Sequence, residues 1–253
     1  MLRSFKDLDR LLRGELTHAE TLAGYTDGKA ARFSLRRFVP MAIGLGAAYG
    51  FFMGWYALAL NWTKDPGKGW QQLIAGMVKL PALFILTLLV TFPSLYVFNA
   101  LVGTRLGFIQ VLRLLVAAIV VNLTVAASLG TILGFFTLST TSYHFMVVLN
   151  VILLGISGAV SLGFLLHTLK RLSAPEHTLG EPAPAPTAAP TSESAAGAIF
   201  YIWLVIYSLV GMQMGWLLRP FIGHPNAQFE WFRDRSGNFF QGLAENIQRM
   251  LGS

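Results

Sequence analysis

Apolar residues in this chain fall in long unbroken runs, unlike the alternation of a half-buried strand or the one-sided spacing of a surface helix. Between Arg37 and Lys64 lie 26 residues without Asp, Glu, Lys or Arg; Lys79 to Arg105 encloses 25, Arg113 to Lys170 encloses 56, and Glu193 to Arg219 encloses 25. A helix crossing a hydrocarbon core ~30 Å thick needs about 20 such residues. The 56-residue window is too long for one helix, which at ~1.5 Å per residue would reach more than twice across. Its one polar stretch, Thr137-Leu138-Ser139-Thr140-Thr141-Ser142, predicts the turn. The pattern therefore predicts five spans: Phe38 to Leu60, Leu80 to Val102, Leu112 to Phe136, Tyr143 to Thr168 and Gly197 to Leu218. Barrel strands alternate polar and apolar residues, and these runs do not. The expected fold is all-α: a polytopic bundle of five transmembrane helices with amphipathic interfacial helices at both termini.

The segments outside the runs carry their own patterns. In residues 1–37, Leu2, Phe5, Leu8, Leu11 and Leu12 recur at helical spacing with charged residues opposite. Such a helix either lies on an anionic leaflet or caps the bundle. Residues 38–172 hold the first four spans. Residues 173–196 contain Pro175, Pro182, Pro184, Pro186 and Pro190 among Ala, Thr and Ser, a composition that favours an extended linker. After the fifth span (197–218), residues 219–253 open with Arg219-Pro220, which stops the helix. Phe239, Phe240, Leu243, Ile247 and Leu251 then form an apolar helical face.

Composition and charge sharpen this picture. Of 253 residues, 54% are hydrophobic and 12% charged, with no Cys and a net charge of +7. A soluble globular chain carries about 25% charged residues, so disordered, disulfide-stapled and ordinary soluble classes are excluded. With the N-terminus inside, the inner segments hold 12 Lys and Arg and the outer ones 7. The positive-inside rule then predicts a cytoplasmic N-terminus and an external C-terminus in a bacterial inner membrane. The first span reads as a retained anchor, since no short apolar core precedes it. No basic domain stands outside the lipid, so nucleic acid is not an expected partner.

Helices in lipid gain nothing by hiding apolar surface, so close approach at small residues must hold them together. Gly46, Gly50 and Gly54 form a ladder on the first span, and Gly155, Ala159 and Gly163 repeat it on the fourth. Both are expected to pack helices within the chain, with pairing of two copies as the alternative. Gly130 with Gly134 and Gly211 with Gly215 are shorter versions. Asn99, Asn122, Asn150 and Gln213 are the notable intramembrane polar residues, and such positions are functional candidates by default. Lys79 and Arg113 are expected at span edges, their ammonium and guanidinium groups snorkelling to the interface. Pro81 and Pro93 free backbone carbonyls in the second span.

Candidate chemistry is sparse. Gly155-Ile156-Ser157-Gly158 resembles the nucleophile motif of rhomboid intramembrane proteases, which needs a histidine base beside the serine. The fifth span has no His, and His167 is ten residues along the same helix, about 15 Å away. The five histidines are scattered, and neither a metal-ligand spacing nor a phosphate or dinucleotide fingerprint occurs. No catalytic, cofactor-binding or metal-binding residues are therefore expected.

The layout resembles that of the Yip family: a cytoplasmic head, five membrane helices, and a charged turn into the third, here Leu101-Val102-Gly103-Thr104-Arg105-Leu106-Gly107-Phe108. That likeness covers residues 73–172. The chain is also similar to uncharacterised bacterial multi-pass proteins in Lys79-Leu80-Pro81-Ala82-Leu83-Phe84, Phe92-Pro93-Ser94-Leu95-Tyr96 and Gly211-Met212-Gln213-Met214-Gly215-Trp216-Leu217-Leu218-Arg219-Pro220-Phe221. The Yip resemblance implies membrane trafficking, and neither brings a catalytic residue; layout by itself does not establish function. The leading expectation is a non-catalytic scaffold or accessory subunit. Its partners would be the bilayer and either a second copy or another membrane protein. The alternative is a small-molecule or lipid transporter or channel, which requires a cavity lined by Asn99, Asn122, Asn150 or Gln213.

Overall fold

The computed structural model describes residues 2–15, 34–61, 65–102, 108–173, 192–224, 228–232 and 237–252. Among the described residues seven helices follow in order: α1 Leu2–Leu12, α2 Leu35–Asn61, α3 Pro66–Val102, α4 Phe108–Ser139, α5 Tyr143–Ser173, α6 Ser192–Leu217 and α7 Phe239–Leu251. Among the described residues there is no strand. Four described stretches are long and apolar enough to cross a membrane: Leu35–Asn61, Pro66–Ser94, Ile109–Ser139 and Tyr143–Thr168. The described apolar part of α6, Ile202–Leu217, is shorter. Large apolar side chains face outward along the bundle, Leu89 67% and Phe135 64% exposed among them. Soluble monomers rarely show such a belt, and the chain is an all-helical, multi-pass membrane protein.

Two helix boundaries differ from expectation. α3 begins at Pro66, well before Leu80. Asp65 Oδ1 accepts the Lys68 backbone N–H at 3.1 Å and proline occupies the first helical position, a pairing that starts a helix firmly. Similarly, α6 begins at Ser192, inside the expected linker, while residues 174–191 of that linker lie outside the described residues. The predicted polar turn falls where expected. There the Ser142 Oγ accepts the Phe145 N–H at 3.4 Å to open α5, and the Tyr56 hydroxyl donates to the Thr141 carbonyl at 2.7 Å.

α2 is the hub, packed between α3 and α4; α5 then packs on α4, and α6 on α3. The long helices thus follow an arc in the order α6, α3, α2, α4, α5. A Cβ placed on Gly50 would stand 2.3 Å from the Gly76 carbonyl oxygen, on Gly54 2.4 Å from Leu73 Cα, and on Gly46 3.0 Å from Pro81 Cγ. Backbone meets backbone here, the close approach that association in lipid needs. On its other side α2 sets Phe52 against Gly130 and Gly134 of α4, where added Cβ atoms would come within 2.6 and 2.9 Å of the ring.

The second ladder corrects the expectation. Nothing lies within 4 Å of a Cβ built on Gly155 or Gly163, and Ala159 is exposed. Spacing placed these residues on one face, but among the described residues no helix covers that face.

Several threonine hydroxyls inside the long helices are satisfied within their own helix. Thr87 Oγ1 donates to Leu83 O at 2.7 Å, Thr91 Oγ1 to Thr87 O at 2.7 Å, and Thr124 Oγ1 to Val120 O at 2.7 Å. In hydrocarbon no water would do this for them. α1 buries Leu8 and Leu11 in the main core, and Asp7 pairs with Arg37 of α2 at 3.1 Å. The side chain of Asn99 and the turn residues 103–107 lie outside the described residues.

Candidate functional site

The two ends of the helical arc, α5 and α6, are not among the closely packed pairs. Between them lies a cavity of about 870 Å³. Leu80, Leu83, Thr87 and Leu88 of α3 and Leu115 to Asn122 of α4 form its floor. Gly155, Gly158 and Ala159 of α5 line one wall, so the absence of side chains there makes room. Trp203 to Trp216 of α6 line the other. One end is closed where Leu165 of α5 joins Trp203 and Leu204 of α6 in a single apolar cluster. The Trp203 indole N–H donates to the Thr91 carbonyl at 3.1 Å, which fixes the ring.

The opposite end is built differently, and α3 shows why. Gly211 of α6 stands against Thr87, and Gly215 against Leu83. Continuing at four residues per step brings Arg219 level with Lys79. Lys79 in turn lies between the heights of Gly50, which faces Gly76, and Gly46, which faces Pro81. That is roughly 16 Å or more from the Asn61 end of α2. Helix α6 therefore ends beside Lys79, and the chain leaves it as a non-helical strap, described at residues 218–224 and 228–232.

Non-helical backbone at membrane depth requires partners from the protein, and α3 supplies them. Gln72 Nε2 donates to Pro220 O at 3.1 Å and to Phe221 O at 2.9 Å. Lys79 Nζ donates to Pro220 O at 3.1 Å and also to Trp231 O. Its ammonium lies 5.9 Å from the Trp231 ring centre and 5.4 Å from that of Phe232. This corrects the expectation for Lys79. It is not a snorkelling edge residue; it is 3% exposed, in the middle of the apolar stretch Pro66–Ser94. Its charge is tolerated because carbonyls and ring faces replace water.

Beyond the strap, α7 crosses the mouth of the cleft. Trp216 Nε1 donates to Gly237 O at 3.1 Å, and a Cβ on Gly242 would stand 1.9 Å from the Trp216 ring. Gly237 has φ +76°, a left-handed turn conformation. Asn238 and Gln241 then form a capping box, at 3.0 and 3.1 Å. Farther along, Asn246 Oδ1 lies 2.8 Å from His144 Nδ1, which ties α7 to α5. Arg219 holds its guanidinium 3.5 Å over the Trp216 ring. The charged residues bordering the cavity, Arg219, Glu245 and Arg249, all belong to this end, with His144 and His224 nearby. The chamber is apolar along most of its length and charged at one end.

Of the intramembrane polar candidates, Asn122 and Asn150 border this cavity. Asn122 Oδ1 accepts from the Ser157 hydroxyl at 2.8 Å, and Asn150 Oδ1 from the Tyr49 hydroxyl at 2.8 Å. Gln213 is exposed on α6 and does not line the chamber. The neighbour of Ser157 is thus Asn122, with the Leu154 carbonyl 2.9 Å away, where a rhomboid-like reading needs a histidine. Among the described residues, no three His, Asp or Glu side chains converge as metal ligands would. Sequence reasoning missed Gln72, Arg219 and Trp216. The signals available were an Asp-Pro helix start ahead of Gln72 and a proline directly after Arg219. Comparison with protein-family models, with curated proteins and with solved structures finds no match.

Proposed function

We propose that this protein takes an amphiphilic molecule from the bilayer into the cleft between α5 and α6. The cavity of about 870 Å³, apolar along its length and charged at its α7 end, is the observation that carries the reading. Its size falls in the upper part of the ~300–1,000 Å³ range of ligand sites. Helices interrupted beside a binding site, with unwound backbone at membrane depth, are a recurring arrangement in carriers. The end of α6 and the strap supply that arrangement here. A scaffold role uses the same fold but gives this space no task. In this reading α6 is the fifth crossing, since α1 and α7 sit at opposite ends of the bundle. Their apolar faces rest in the two interfaces of a bacterial inner membrane, with α1 on the cytoplasmic side.

Native mass spectrometry of the purified chain tests this. Gly158 lines the cavity with nothing within 4 Å of an added Cβ, so Gly158→Phe fills the chamber without displacing a helix. The wild type is expected to retain a bound lipid-sized molecule, and Gly158→Phe to lose it while melting at the same temperature. Equal retention by both proteins, or none by either, overturns the proposal.

A further inference from the structure

We infer that the amphiphile is a two-chained, ester-linked lipid, and that Asn150 holds one of its ester carbonyls. This rests on the reading of the cavity given above. Asn150 borders the chamber from α5 and is 7% exposed. Its Oδ1 accepts from the Tyr49 hydroxyl at 2.8 Å. Tyr49 is fully buried, and among the described residues its proton has no acceptor but that oxygen. A buried hydroxyl needs one, so the carboxamide is held with its oxygen toward Tyr49 and its nitrogen turned away. Among the described residues Asn150 Nδ2 has no acceptor, yet it is not sealed off; it opens on the chamber. Hydrocarbon offers no water to such a donor, so the position calls for an uncharged oxygen acceptor, and an ester carbonyl is one.

Depth along α5 places the contact. Asn150 lies about 9 Å beyond His144 of the charged end, and Leu165 of the closed end about 22 Å beyond Asn150. A bilayer of ~40–45 Å with a hydrocarbon core of ~30 Å has headgroup layers of about 5–8 Å and acyl chains of about 15 Å. A lipid with its head at α7 therefore brings its esters to the level of Asn150, and its tails end before Leu165. Volume argues for two chains. At about 30 Å³ for each water-sized group, the cavity of about 870 Å³ holds on the order of thirty heavy atoms. One extended chain of ~15 Å, at about 1.25 Å per zigzag bond, supplies about twelve. The glycerol and the second chain take the remainder. Excess length leaves through the gap between α5 and α6, where Ile156 and Val160 of α5 and Val205 and Leu209 of α6 are exposed.

The experiment offers the full-length protein a diester phosphatidylglycerol and its diether analogue together, at equal concentration, and reads the retained ratio by native mass spectrometry. The two lipids share headgroup and chains and differ only in the carbonyls. The wild type is expected to favour the diester by about three- to thirtyfold, the range of one hydrogen bond inside a membrane protein. Tyr49→Phe combined with Asn150→Leu replaces a bonded polar pair by apolar groups of similar size. This double variant should still bind, with the ratio brought to within about twofold of unity. A preference that persists in it overturns the assignment to Asn150. A second reading needs only the wild type: the infrared carbonyl band of isotope-labelled diester should fall in frequency on binding, and an unshifted band overturns the inference. Equal retention of the two lipids by the wild type, with both lost in Gly158→Phe, overturns the ester contact and leaves the cavity reading standing. Retention of neither lipid, or retention unchanged by Gly158→Phe, overturns both. Displacement of the diester by an equal concentration of a fatty acid of the same chain length would show a single-chained occupant and would refute the inference.

Discussion

Replacing Lys79 by methionine tests the account of the strap most directly, because it preserves side-chain volume and removes only the ammonium. Each charge-assisted hydrogen bond contributes about 1.5–3 kcal/mol, and each cation–π contact about 0.5–1 kcal/mol. The Pro220 carbonyl keeps Gln72 as a donor at 3.1 Å. The loss therefore concentrates on the Trp231 carbonyl and the two aromatic rings, and strap docking weakens by about 2.5–5 kcal/mol. Acting the other way, methionine relieves the desolvation of a buried cation, which itself costs several kcal/mol. These terms offset for the bundle as a whole but not for the strap. The melting temperature is expected to change little while the strap opens far more often. The chain has no cysteine, so a single Ile222→Cys reporter is unambiguous, and Ile222 is 3% exposed in the closed strap. When opening is fast compared with reaction, the labelling rate by a water-soluble maleimide follows the opening equilibrium. Adding Lys79→Met should accelerate labelling by about seventy- to several thousand-fold. Labelling rates within about threefold of each other, with both proteins folded, would refute the role assigned to Lys79.

The remaining predictions concern packing. Gly50→Ala is expected to destabilise the bundle by about 2–3 kcal/mol, since its methyl would meet the Gly76 carbonyl oxygen at 2.3 Å, whereas Gly155→Ala should leave thermal unfolding unchanged or raise it slightly. Equal effects of the two would remove the distinction between the ladders. Tyr49→Phe deletes the buried hydrogen bond to Asn150 and should cost about 1 kcal/mol in a denaturant titration in detergent; no measurable loss would mean that the bond contributes nothing. Gly242→Leu should detach α7, because even a Cβ would stand 1.9 Å from the Trp216 ring. Limited proteolysis should then cleave near Gly237 much faster than in the wild type, and an unaltered digestion pattern would count against α7 as the closure of the cleft.

The crossings were legible because lipid imposes one rule over many residues: an uncharged run of sufficient length has few alternatives to a helix. The turn at residues 140–142 was legible for the same reason, as the single polar break in an apolar window. The sequence misled where a charge was taken as a boundary. Lys79 marks an edge only if water reaches it, and its partners are carbonyls more than 140 residues away. No local pattern announces them. The two small-residue ladders make the same point from the other side. Gly46, Gly50 and Gly54 share their spacing with Gly155, Ala159 and Gly163, yet one ladder meets α3 and the other meets open space. Spacing fixes which residues share a face, whereas what covers that face depends on the arrangement of all the helices. The cavity is likewise a property of that arrangement, so of its lining only Asn122 and Asn150 could be nominated beforehand.

The strap also dictates an order of events during synthesis. Lys79 and its acceptor at Pro220 are 141 residues apart, and Trp231 comes later still. At about 5–20 residues per second, α3 emerges roughly 7–30 seconds before the strap is made. For that interval a lysine in the middle of a hydrophobic helix has none of its eventual strap partners. The nascent helix must leave the ammonium near water or the insertion machinery until Pro220 and Trp231 arrive. Residues translated later thus release the earlier ones into their final depth, and a ribosome that stops short of Trp231 leaves a chain unable to seat α3 fully.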